Sequence, residues 1–312
     1  WIGTYLGLTR YNPRTGASST FTANTQEKSL TNSSIWSIIK DNQGTLWVGT
    51  YFGGVNYFNP EYEIYTQYRL QEKNRPGLSS QIVGRMTEDD KGNLWICTEG
   101  GGLNIYNPHT QVFSHHNLPG TAITQNNLKA IFFDKTRRTM WVGTHLGGLD
   151  RIELSSGKSR SYRHETGNPK SLPSDIVRDI KPHGRQLVIA TQEGVVMMDP
   201  ERETFTPLLA KEKLRIVQGL CIDRHGRLWI ATESRGVYCY DFSTGKFRHY
   251  QRTQAKGSLS CNNINNVMTD RQGRIWLSTA NDGIDLYDER HDSFINYGRH
   301  EGLTGSCVYA IA

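Results

Sequence analysis

"GTLWVGTYFGGVNYFNP", residues 44–60, decides the reading, because the chain keeps rewriting it. It returns as "GNLWICTEGGGLNIYNP" (92–108), "RTMWVGTHLGGLDRIEL" (138–154), "GRQLVIATQEGVVMMDP" (184–200), "GRLWIATESRGVYCYDF" (226–242) and "GRIWLSTANDGIDLYDE" (273–289). The chain itself opens inside a copy, "WIGTYLGLTRYNP". The anchor positions are Trp1, Trp47, Trp95, Trp141, Val188, Trp229 and Trp276, at intervals of 46, 48, 46, 47, 41 and 47 residues. A period in the forties marks a repeat architecture and overrides the two domains that 312 residues would otherwise suggest.

Residues 34–68 show how one copy folds. "SIWSIIKD" is an apolar, β-branched strand ending at a turn, "LWVGT" a second strand, "VNYFN" a third closed by Pro60, and "IYTQY" a fourth. Proline cannot donate to a ladder and suits a strand end. Four short antiparallel strands in under fifty residues make one propeller blade. The Asp–x–x–Gly turn (Asp41/Gly44, Asp223/Gly226, Asp270/Gly273) combines an aspartate that bonds its own backbone with a glycine free to take positive φ. Thr4, Thr50, Thr98, Thr144, Thr191, Thr232 and Thr279 open the next turn in all seven copies, so their role is architectural. The anchor tryptophans are expected to pack one blade against the next.

The expected fold is all-β: a single seven-bladed β-propeller of four-stranded antiparallel blades over residues 1–312. The chain starts with a second strand and ends with a first strand, "CVYAIA", and pairing the two would complete the seventh blade and remove open sheet edges. The seam lacks its usual turn, so either the chain is clipped there or the ring was cut from a longer protein. Counted by anchor, blade five is the weak copy: Val188 replaces tryptophan and "LLAKEKLR" replaces a long connection.

Composition agrees. The chain is 36% hydrophobic, with 31 glycines and 10% aromatics, as short strands and many turns require. No run approaches the eighteen or so apolar residues of a membrane helix. The net charge of +6 has no clustered Lys/Arg stripe, which argues against nucleic-acid binding and tilts toward an anionic ligand. Five cysteines show no metal-ligand spacing and no disulfide is expected. Cys97, Cys221 and Cys239 fall inside strands; Cys261 and Cys307 lie near strand starts and are expected to be more accessible.

The combined pattern I-x-x-I-x-x-D-x-x-G-x-L-W-[VI]-G-T-x-x-G-G-[LV]-x-x-[YF] resembles the two-component regulator propeller repeat. The leader loops "KSLTNSSI" (28–35), "PGLSSQIV" (76–83), "KSLPSDIV" (170–177) and "GSLSCNNI" (257–264) strengthen the resemblance, which covers essentially the whole chain. It implies the periplasmic sensor region of a hybrid two-component system in carbohydrate-utilising gut bacteria. Such receptors carry two propellers, a β-sandwich domain, a membrane helix, a histidine kinase, a receiver and a DNA-binding domain, and work as homodimers. The ending "EGLTGSCVYAIA" implies the second propeller of the pair.

Specificity belongs where agreeing repeats diverge. The turn after the second strand reads Tyr5-Leu6, Tyr51-Phe52, Glu99-Gly100, His145-Leu146, Gln192-Glu193, Glu233-Ser234-Arg235 and Asn281-Asp282. The first strand, expected around the axis, carries Trp36-Ser37, Gly84-Arg85, Lys129-Ala130, Arg178-Asp179, Gln218-Gly219, Asn265-Asn266 and Tyr309-Ala310 between its apolar positions. Arg85, Lys129 and Arg178 stand in consecutive blades, offset only by Asp179. Arginine offers a planar fork to carboxylate or sulfate, lysine a point charge, and aromatic faces stack on sugars. The candidate ligand residues are Tyr5, Trp36, Tyr51, Phe52, Arg85, Lys129, His145, Arg178, Arg235, Asn265 and Tyr309, and the expected ligand is an oligosaccharide, with an acidic glycan as the narrower reading. The ordinary alternative is that channel-lining polar residues only hold water and that exposed aromatics are incidental.

No metalloprotease, nucleophile-elbow, phosphate-loop or calcium-loop motif occurs. No catalytic residue, metal or cofactor is assigned. Some lyases use similar propellers, and His145 near Arg85 or Lys129 is the constellation that elimination on a uronic acid would need. A purely scaffolding propeller is the other alternative.

Overall fold

The computed structural model describes residues 1–24, 29–59, 64–71, 77–116, 123–303 and 305–312. Pro60, and Lys28 and Pro76 of the leader loops, lie outside the described residues. Seven four-stranded antiparallel sheets follow one another. Blade two is typical: Ile35–Lys40 is innermost, then Leu46–Thr50, Val55–Asn59 and, outermost, Ile64–Tyr68. The other inner strands are Val83–Glu88, Leu128–Asp134, Val177–His183, Val217–Ile222, Ile264–Thr269 and Val308–Ile311. Each packs beside the next, and the last returns to the first. The ring closes on the chain's own ends: Val308–Ile311 pairs with Ile2–Thr4, and the Trp1 ammonium donates to the Ala312 carbonyl at 2.9 Å.

Seven hydrophobic clusters fill the seven blade interfaces, and each contains one anchor. Trp47 packs with Val83, Met86, Ile96 and Tyr106 of the next blade. Trp229 packs with Ile264, Val267 and Tyr287, and Trp276 crosses the seam to Ile2 and Val308. Trp141 and Trp229 are wholly buried. A tryptophan contributes the largest apolar area available to a side chain, and its indole N–H must then find an acceptor. The Asp turn supplies it. Trp47, Trp95, Trp229 and Trp276 donate at 2.9 Å to Asp41, Asp89, Asp223 and Asp270, each six residues upstream. Burial pushes the carboxyls of Asp89, Asp223 and Asp270 up, but the indole and backbone donors outweigh it and hold them below the usual carboxylate range. In blade four the turn is one residue longer. Asp134 is taken by Arg137 at 2.8 Å, and the Trp141 indole N–H has no partner among the described residues.

The invariant threonines clip the next turn. In all seven blades the hydroxyl donates to the carbonyl of the glycine that closes it, at 2.7–3.1 Å. The leader loops have a second latch that the sequence pattern did not reveal. Leu30, Leu78 and Leu259 plug the blade and are buried. The N–H groups of Thr31, Ser79, Thr124 and Ser260 then donate to Asn56, Asn104, Asp150 and Asp285 of the third strand.

Blade five keeps the threonine clip but departs in anchor, latch and connection together. Its anchor is Val188, its leader loop places Pro173 where an N–H would stand, and Val196 occupies the acceptor position. A proline has nothing to donate, so an apolar side chain opposite it leaves no buried acceptor idle. The connection onward is a 3-10 turn, Ala210–Glu212, flanked by Leu209 and Lys213 in left-handed conformations. One expectation needs correcting: Cys261 is buried, its sulfur accepting the Asn263 N–H at 3.3 Å, so only Cys307 is partly accessible among the five free thiols.

Candidate ligand site at the channel mouth

The inner strands do more than surround the axis, because each carries a register shift at the same point. Pairing slips between Ile35 and Ser37, Leu128 and Ala130, Val177 and Asp179, Val217 and Gly219, and Ile264 and Asn266. At the seam it slips past Tyr309. A bulge leaves one residue out of the ladder and re-aims its side chain. The residues so released are Trp36, Lys129, Arg178, Gln218, Asn265 and Tyr309, and all line one axial cavity of about 480 Å³. In blade three the slip spans two residues, Val83 to Met86. Gly84 takes the ring position there, and Arg85 lies one step deeper.

A second tier stands on the adjoining turns. The N–H groups of Tyr51, Glu99, His145, Gln192, Glu233 and Ala280 all bond to the residue before an inner strand. Ala280 is therefore blade seven's rim residue, which corrects the assignment of Asn281-Asp282. The Asp282 N–H instead bonds the Thr279 hydroxyl at 3.0 Å, and its carboxylate pairs with Arg252 at 3.6 Å.

Around the mouth the two tiers divide by chemistry. Tyr309 stacks on Trp36 at 4.7 Å, and Trp36 meets Tyr51 at 5.2 Å. Tyr5 abuts Tyr309 at 4.9 Å and Phe52 abuts Tyr51 at 4.4 Å, making one continuous aromatic arc across blades one and two. Its ends are open to solvent, with Tyr5 42% and Phe52 55% exposed. Burial, with the hydroxyls of Tyr5 and thiol of Cys307 as neighbours, pushes the Tyr309 phenol up.

Blades three to six are polar and charged. Arg85 crosses the channel, ion-pairing with the buried Asp179 at 3.3 Å and donating to the Gln218 carbonyl at 3.1 Å. Asp179 also accepts from the Leu220 N–H at 2.8 Å and lies 3.4 Å from Lys181. Lys129 pairs with Glu99 of the preceding blade, reaching over the gap that Gly84 leaves. Glu99 thus joins Asp179 in pairing with the basic residues, while Glu233 acts on Arg178 only at a distance, correcting the simpler expectation. Arg178 donates to the Gln192 carbonyl oxygen from two nitrogens, at 2.7 and 3.0 Å, and to Gln218 at 3.1 Å. The Gln218 amide in turn reaches Glu233 at 3.2 Å. Burial pushes the Arg178 guanidinium below its ordinary value, opposed by Glu233.

His145 stands beside Lys129 and Arg178 rather than Arg85. Burial and then those two cations push its imidazole down, against the pull of Glu99, and its Nδ1 is buried without a hydrogen-bond partner among the described residues. Asn265 is tied to the Val308 carbonyl at 2.8 Å. Arg235 stands apart: its guanidinium donates to the Glu212 carbonyl at 2.6 Å and lies over Tyr238, holding the blade-five connection. The cavity therefore gathers Trp36, Arg85, Lys129, Arg178, Asn265 and Tyr309. The ring contacts bring Tyr5, Tyr51 and Phe52 to its rim. Glu99, Gln192, Gln218 and Glu233 were not among the candidates, although they occupy divergent positions. Their part emerges only from the side-chain pairs around the mouth. No group of three or more His, Cys, Asp or Glu side chains among the described residues is arranged to hold a metal ion.

The two-component regulator propeller family matches residues 29–52, 77–100, 213–234 and 258–281. The chain carries the repeats of the two-component regulator propeller family. The extracellular domain of a hybrid two component system from B. thetaiotaomicron superposes on this propeller with a TM-score of 0.73 at 22% identity, covering 88% of this chain and 36% of that one. The extracellular domain of a one component system from the same organism gives a TM-score of 0.66 at 22% identity, covering 99% and 48%. The chain thus spans less than half the length of either. Virginiamycin B lyase from Staphylococcus aureus, crystallised with quinupristin, gives 0.65 at 13% identity, covering 89% and 86%. At these identities the likeness is one of fold. No curated protein sequence matches the chain. No helix among the described residues is long and apolar enough to cross a membrane.

Proposed function

We propose that this regulator propeller is the ligand-sensing part of a hybrid two-component receptor, lies in the periplasm, and captures a glycan at its channel mouth. The observation that carries this reading is the rim itself. All seven blades share the threonine clip and six share the tryptophan anchor, yet they bulge out seven different ring residues beside turn residues of five kinds. Uniform packing beneath a divergent rim is what a recognition surface on a rigid scaffold requires. The aromatic arc presents faces for sugar stacking, and the amides of Gln192, Gln218 and Asn265 suit hydroxyl groups.

Binding at a boundary with a second propeller or a β-sandwich domain would favour one domain arrangement over another, and that bias would reach the kinase of a homodimeric receptor. The reading is non-catalytic. Calorimetric titration with a panel of plant and host oligosaccharides tests it. One or more should bind, Trp36→Ala should weaken binding at least tenfold, and Phe247→Ala, on the outer edge of blade six, should not. Silence across the panel, or equal loss in both variants, would remove the channel mouth as the site.

A further inference from the structure

We propose that the mouth holds an anionic group of its sugar ligand, a uronate carboxylate or a sulfate ester, at Arg178 and the neighbouring Lys129. This rests on the glycan reading above and names the ligand's class.

Arg178 is unusual among the half-buried arginines of the described residues: only Arg235, which donates to the Glu212 backbone carbonyl, also lacks a carboxylate partner. Arg137 and Arg227 are each held by a carboxylate, at 2.8 and 2.6 Å. Arg85, in the same cavity, has Asp179. Among the described residues Arg178 has only the neutral side-chain oxygens of Gln192 and Gln218, which take three of its five N–H donors. Its nearest carboxylate, Glu233, is held one side chain away behind the Gln218 amide. A desolvated guanidinium without an anion is unfavourable, and burial already weakens its hold on the proton. The two glutamines fix the plane of the fork while leaving its charge unneutralised, which is the state that binding a carboxylate or sulfate would relieve.

Lys129, one blade back, completes the slot. Its partner Glu99 is on the half-exposed rim, so an incoming anion exchanges one ion pair for another without opening the core. Trp36 and Tyr309 line the same cavity on the aromatic side, placing a stacking surface beside the charged one.

The test uses matched pairs on the intact chain: oligogalacturonate against its methyl ester, sulfated galactan oligosaccharide against its desulfated twin, and sodium sulfate alone. An acidic member should bind at least tenfold more tightly than its neutral twin, and whichever pair shows this names the group. Arg178→Gln should remove the preference, read as the ratio of the twins' affinities, with the melting temperature close to wild type. Arg178→Lys should restore part of it. Should the variant fold poorly, the wild-type preference should still shrink steeply between 50 and 500 mM sodium chloride, roughly as screening of a paired charge demands. Equal binding of the twins overturns this inference and leaves the glycan reading standing. Binding of a neutral member alone does the same. Sulfate ion binding as tightly as the acidic sugars overturns it too, and silence from every sugar removes both readings.

Discussion

Each blade has two ends joined by the same strands, and they have opposite habits. At one end Asp41, Asp89, Asp223 and Asp270 repeat a single device, the carboxylate that receives an indole N–H and folds its own turn. At the other end Tyr309, Trp36, Gly84, Lys129, Arg178, Gln218 and Asn265 share one backbone irregularity and no chemistry. The difference teaches where variation is cheap. The aspartate end is tied to a buried aromatic anchor, so a change there breaks the packing between blades. A bulged residue is already outside the ladder, and its replacement costs no sheet hydrogen bond.

The largest effect that would break this comparison is at the anchors. Trp229→Ala, at a wholly buried site, should destabilise the fold by about 3–5 kcal/mol by denaturant unfolding. A loss under about 1 kcal/mol would mean that the blades do not depend on their anchors. Asp223→Ala should cost less, about 1–3 kcal/mol, because it leaves the Trp229 indole and two turn N–H groups without an acceptor. The same change at Asp134 should spare the indole contribution, since Trp141 donates to nothing there. At the rim, Trp36→Ala should leave stability within about 1 kcal/mol while abolishing most glycan affinity, as for a surface side chain that anchors no cluster.

The smallest effect is in pH. The His145 imidazole is held below its ordinary value, so the folded state binds fewer protons there than the unfolded chain does. Stability contributed by the neutral imidazole is present above the unfolded value of about 6.5 and is lost as pH falls below it. His116 acts in the same direction, through burial and then His115. Melting temperatures should decline from pH 7.5 to 5.5, and His145→Gln should flatten that slope; an unchanged slope would show that the imidazole is not held neutral.

The fold was legible because its cause is periodic. An anchor every 41 to 48 residues, tryptophan in six of seven copies, with threonine and glycine at fixed offsets, can satisfy itself only by stacking like sheets. Blade five could be seen as weak, yet the mutual fit of Pro173 and Val196 needed the leader loop laid against its third strand. The candidate site was half legible. Divergent columns pointed to Trp36, Lys129 and Arg178, but they could not show that Gly84 rather than Arg85 stands in the ring, or that Arg235 turns outward to Glu212.

Sequence alone determined the blade number, the identity of the packing anchors and the face on which differences collect, because those follow from spacing along the chain. Tertiary structure alone decided which side chains meet: Lys129 with Glu99, Arg85 with Asp179, Arg178 with two neutral amides. Apart from Gln192, which shares a repeat with Arg178, these partners come from different repeats brought together by the ring, contacts that no local pattern encodes.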